Sequence, residues 1–124
     1  MKRFLPFILW TLIIFALCSM PGKAIPKISW LELLSFDKFV HASIFFVEQV
    51  LFMRALSYLN KKNLYGIMAL LFCMAYGGSL ELMQYYIFSS RSGDVLDFIA
   101  NSTGALTGFL LFSKINKKLG FLPA

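Results

Sequence analysis

Residues 81–108 read ELMQYYIFSSRSGDVLDFIANSTGALTG, a polar interval set between two strongly apolar segments. Glu81 and Gln84 are three residues apart, and Asp94, Asp97, Asn101, Gly104 and Gly108 follow at intervals of three, four, three and four. Such intervals place each set on one face of a helix. The stretch therefore reads as the end of one helix, a loop from Ser89 to Gly93, and the start of another. Polar groups this dense inside a greasy chain need partners, and the nature of those partners decides the fold.

The chain has 124 residues, enough for one domain, and is 59% hydrophobic, 17% aromatic and only 15% charged. With a mean hydropathy of +0.73 it lies outside the range of ordinary soluble domains. Its net charge of +6 does not imply nucleic acid, because the Lys and Arg residues sit in short clusters between apolar runs. That placement is the pattern of membrane flanks. Cys18 and Cys73 both fall inside apolar runs, where thiols pack as small hydrophobes, and no disulfide is expected.

Working outward from the opening stretch, the spacing predicts four membrane-crossing helices, at about 4–20, 37–59, 64–88 and 94–112, in a single membrane domain over 1–124. The first follows Lys2-Arg3 and stops at Pro21-Gly22. A cleavable signal peptide would share its charged start and apolar middle, but a retained helix is the reading adopted. Residues 21–35, with Pro21, Gly22, Pro26 and Trp30, are expected to form a loop with Trp30 at the bilayer interface. Asn60-Lys61-Lys62-Asn63 is a short basic turn between antiparallel helices. Gly77-Gly78 in the third helix, and Gly104 and Gly108 in the fourth, allow close helix approach. The Gly104/Gly108 face could also join two copies of the chain. Ser113–Ala124 reads as a short basic tail.

With four crossings, Lys2, Arg3, Lys61, Lys62, Lys114, Lys117 and Lys118 share one side, and Lys23, Lys27, Lys38 and Arg91 the other. Cytoplasmic loops are enriched in Lys and Arg, so both termini are expected in the cytoplasm. The start of helix two, the end of helix three and the start of helix four then meet at the outer face. Asp37, His41 and Glu48 form a stripe on helix two, separated by four and seven residues. An ionised residue at a helix centre costs roughly 2.5–3.5 kcal/mol on insertion scales, so Glu48 and Glu81 should turn inward.

Each candidate has a structural reading beside a functional one. Arg91 either closes the outer loop through Asp94, Asp97 or Glu81, or grips a phosphate or carboxylate through its guanidinium. His41, the sole histidine, either hydrogen-bonds Asp97 or Glu81, moves protons or ligates a metal, although one His with several carboxylates does not specify one. Glu48 lies roughly 16 Å along the helix from Asp37, where an acid is either packed in protonated form beside Gln49 or functional. Asn101 satisfies helix-to-helix hydrogen bonds. Phe45, Phe46, Tyr85, Tyr86 and Phe88 read as packing and interfacial anchors. No nucleophilic triad, phosphate-cradling loop or metal-ligand spacing is present, so no cofactor and no metal is expected.

The ordered series D-K-x-x-H (Asp37, Lys38, His41), E-x-x-Q (Glu81, Gln84), Arg91 and D-x-x-x-N-x-x-G-x-x-x-G (Asp97, Asn101, Gly104, Gly108) resembles the VanZ-like family of small bacterial membrane proteins. The resemblance covers about Asp37 to Gly108. It implies an all-α, four-helix transmembrane bundle in the bacterial cytoplasmic membrane. The family is named for a protein that lowers sensitivity to the glycopeptide teicoplanin. Three functions stay open at this point. The outer cluster is a pocket for a lipid-linked or glycolipid head group, an enzyme site using His41 with Glu81 or Asp97, or an assembly element with no ligand.

Overall fold

The computed structural model describes residues 1–19, 30–87 and 95–119, the side chains of 30–37 excepted. A short 3₁₀ turn at Lys2–Phe4 leads into α1 (Leu5–Ser19), followed by α2 (Trp30–Leu56), a 3₁₀ turn (Ser57–Leu59), α3 (Lys62–Tyr86) and α4 (Val95–Leu119). All four α-helices are long and apolar enough to cross a membrane, α1 together with its leading turn. The architecture is the expected all-α bundle of four membrane-spanning helices. Pro6 falls in the first turn of α1, where its missing N–H costs nothing.

Two helix bounds differ from expectation. α2 begins at Trp30, not near Asp37, so residues 30–35 of the expected 21–35 loop are helical. α4 continues seven residues past Phe112 to Leu119, carrying Lys117 and Lys118 in its last turn, where cations meet the helix dipole favourably. The expected basic tail is thus mostly helix. Between α2 and α3, Asn60 adopts the left-handed conformation at φ 57°, and its N–H bonds to Ser57 O at 3.1 Å. Asn tolerates that region better than most residues, which lets two long helices reverse within a very short turn.

α2 and α4 form the most extensive helix pair, with α3 packed on both and α1 laid mainly along α2. Gly104 and Gly108 explain the first pairing. A Cβ at 104 would overlap the backbone of Ala42, and one at 108 would lie 3.0 Å from Phe46 O. The small-residue face is therefore filled by α2 within one chain, which leaves association between copies to other surfaces. Gly77 faces Asn101 and Phe45, and Gly78 faces the Phe98 ring, so the α3 glycines also admit α4.

Two apolar layers fill the interior. Ile14, Phe45, Cys73, Leu80 and Ala105 form one, and Val50, Met53, Leu56, Tyr65, Ala69 and Phe112 the other. Phe7, Phe52 and Phe72 join α1, α2 and α3, with Phe7 stacked on Phe52 at 4.2 Å between ring centroids. Leu12, Leu71, Leu82 and Leu110 point outward and are mostly exposed, as a lipid-facing surface requires. Exposed hydroxyls on that surface, such as Thr103 and Thr107, bond back to carbonyls four residues earlier at 2.8 Å, so these two are not left bare toward lipid.

Candidate functional site

The site forms about three turns into α2, near the end of α3 and in the first turn of α4. α2 and α3 reverse through a short turn and α4 packs on both, so the stripes on the three helices face a common interior. His41 on α2, Glu81 on α3 and Asp97 on α4 are each buried at 8% exposure. Each offers one ligand atom, and these atoms all lie within 4.8 Å of one another. Residues separated by up to 56 positions in the chain are thus within side-chain reach.

Asn101, one turn beyond Asp97, orients the imidazole. His41 Nδ1 lies 2.9 Å from Asn101 Oδ1, a carbonyl oxygen that can only accept, so Nδ1 carries a proton and donates it. Nε2 then faces Asp97 Oδ2 at 3.7 Å, longer than a hydrogen bond. The other oxygen of Asp97 accepts from the ammonium of Lys38, one helical turn before His41. Asp97 also occupies the first turn of α4, where a carboxylate complements the helix dipole.

Gln84 is buried beside this group but turns toward α1, donating to Cys18 O at 3.1 Å. Glu48 does not join the cluster. It is fully buried roughly 10 Å deeper along α2 and accepts from Thr11 Oγ1 at 2.7 Å, while its second oxygen has no hydrogen-bond partner among the described residues. Gln49 beside it donates to Gly66 O at 3.1 Å. The two form a polar layer between the apolar ones. Phe45 belongs to the core, whereas Tyr85 and Tyr86 are exposed near the site end as an edge-to-face pair, and Phe88 lies outside the described residues. Arg91, Asp94 and the side chain of Asp37 also lie outside them.

Sequence reasoning left out Lys38 at the site and, in the polar layer beneath it, Thr11 beside Glu48 and Tyr76, whose hydroxyl donates to Thr11 O at 2.7 Å. Lys38 is counted above as a flanking charge, although its spacing of three from His41 puts it on the same face. Thr11 and Tyr76 are hidden in apolar runs, where one hydroxyl carries little signal. Spacing also conceals the metal-capable geometry, because its three ligands come from three helices.

The fold and site define a multi-pass membrane protein whose interior is polar at one end. The chain belongs to the VanZ/LLP1 family, which matches residues 4–116 and so takes in all four helices. Comparison with curated proteins and with solved structures finds no significant match to either.

Proposed function

We propose that this end of the bundle is a pocket for the polar head group of a cell-envelope lipid, in a protein of the bacterial cytoplasmic membrane with both termini in the cytoplasm. The convergence of His41, Glu81 and Asp97 at the meeting point of three helices supports the reading. Ionisable groups in a membrane protein are costly and mark sites by default. Lys38, with a side chain 24% exposed, and Arg91, six residues before Asp97 in the sequence, supply cations for a phosphate or carboxylate. Retention or presentation of such a lipid would be the route to altered glycopeptide susceptibility, the trait behind the family's name.

Native purification followed by lipid mass spectrometry tests this reading, comparing wild type with Arg91→Ala. A head group retained by wild type and lost from the variant supports the pocket. No co-purifying head group in wild type overturns it and favours an assembly role. A second, catalytic reading draws on the His41 imidazole, held at Nδ1 by Asn101 with Nε2 turned to Asp97, an arrangement suited to proton transfer. His41→Ala that still retains the head group but loses function would select it.

A further inference from the structure

We infer that His41 Nε2 and the carboxylates of Glu81 and Asp97 form a binding site for a divalent first-row transition metal of the zinc and manganese class. The inference stands on ligand geometry and does not require the head-group reading. The two are compatible, since a bound cation adds positive charge beneath an anionic head group.

Three observations converge. First, the ligand atoms come from three different helices and lie within 4.8 Å of one another in a buried setting. Donors bonded to a common metal at roughly 2.0–2.2 Å sit roughly 3–3.5 Å apart, so small rotations about side-chain torsions close the set. Second, His41 is held as a metal-ligating histidine is. Its Nδ1–H is donated to the Asn101 carbonyl, which turns Nε2 into the cluster, the nitrogen that the neutral ring would offer a metal. The 3.7 Å between Nε2 and Asp97 Oδ2 suits two ligands of one ion better than a direct hydrogen bond. Third, Lys38 engages Asp97 through Oδ1 and leaves Oδ2 toward the imidazole, so one carboxylate serves an outer partner and the site at once.

Donor chemistry sets the class. One imidazole and two carboxylates fit zinc, manganese or ferrous iron, whereas calcium takes six to eight oxygen ligands and magnesium keeps most of its waters. Within this class zinc binds more tightly than manganese.

The test uses the full chain purified in detergent, stripped with EDTA and free of added lipid. Zn²⁺ is titrated against a chromophoric chelator, and Co²⁺ is followed by its visible absorption. One Zn²⁺ per chain is expected, uncompeted by a large excess of Mg²⁺ or Ca²⁺. Glu81→Gln, nearly the same shape, should weaken binding beyond roughly 100-fold, and Asn101→Ala by roughly 10–100-fold. His41→Ala should abolish the Co²⁺ absorption. Helical circular dichroism and gel filtration identify any variant that fails to fold, and Glu81→Gln carries the test if His41→Ala does. Absence of stoichiometric Zn²⁺ from wild type, or binding unchanged in folded Glu81→Gln, overturns the site. Head-group retention in the lipid experiment is read independently, so either proposal can fail alone.

Discussion

Gly104 lies so close to Ala42 that a Cβ on residue 104 would overlap the Ala42 carbonyl and Cα. Backbone cannot rotate aside as a side chain can. The contact fixes the separation of α2 and α4 one residue from His41 and three from Asn101, and so sets the 2.9 Å bond between their side chains. The glycine spacing and the polar spacing on α4 are parts of one device: the small face brings the helix in, and the polar face is delivered to the site.

Substitutions at three glycines should therefore rank by what each Cβ meets. Gly104→Ala meets backbone and should lose about 3 kcal/mol or more of stability, at or beyond the usual limit for overpacking. Gly108→Ala meets Phe46 O at 3.0 Å and the Gln49 side chain at 3.1 Å, and should lose about 1–2 kcal/mol. Gly78→Ala meets only the Phe98 ring at 3.3 Å, which can yield, and should cost less than about 1 kcal/mol. Thermal unfolding in detergent reads the order, and equal midpoints for the variants at 104 and 78 would refute the close crossing.

The His41–Asn101 bond makes a second prediction. Asn101→Leu leaves a buried ring N–H without its acceptor, at a cost of about 1–3 kcal/mol. Replacing both residues removes donor and acceptor together, so His41→Leu/Asn101→Leu should be less damaging than the two single changes added. A double-mutant cycle in detergent checks this, and strict additivity would show that the two side chains do not bond.

Much of this arrangement was legible from spacing. The intervals Glu81–Gln84 and Asp97–Asn101–Gly104–Gly108 correspond to buried faces, because period 3.6 holds in lipid as in water. What spacing could not show was which partner each polar group would choose. His41 takes Asn101 for its hydrogen bond, and Glu48 takes Thr11, a residue that reads as part of an apolar run. The loop expected over 21–35 rests on Pro21, Gly22 and Pro26 and leaves out the S-x-x-E spacing of Ser29 and Glu32, a capping-box form that points to a helix starting near Trp30. The extension of α4 was missed because hydropathy falls after Phe112, although Lys114, Lys117 and Lys118 are good helix formers.

Polar contacts add to the Phe7 and Ile14 packing that holds α1 to the bundle. Trp10 donates to Ile44 O at 3.0 Å, Tyr76 to Thr11 O at 2.7 Å, and Thr11 to Glu48 Oε1 at 2.7 Å. Because the second Glu48 oxygen lacks a partner among the described residues, Thr11→Val would deprive a fully buried carboxyl of the hydrogen bond it has there, at about 1–3 kcal/mol. Thr11→Ser keeps the donor and should remain near wild type. Unfolding midpoints in detergent separate the two, and a Thr11→Val protein as stable as Thr11→Ser would show that α1 does not depend on this contact.

Sidedness supplies the last prediction. The described residues at the end opposite the site, Lys2, Arg3, Arg54, Lys61, Lys62, Lys114, Lys117 and Lys118, are all cationic where they are charged, and Arg3 lies 5.4 Å from the Tyr58 ring centroid, tying the start of α1 to the end of α2. Cytoplasmic flanks collect such residues, so the site end is proposed to face outward. In a background with Cys18 and Cys73 replaced by serine or alanine, a cysteine at Lys62 should resist a membrane-impermeant maleimide in intact cells and react after lysis. A cysteine at Tyr86, exposed at the site end, should react in both. The reverse pattern would turn the pocket toward the cytoplasm and remove extracytoplasmic head groups as its ligands, while leaving the metal site to stand or fall on its own titration.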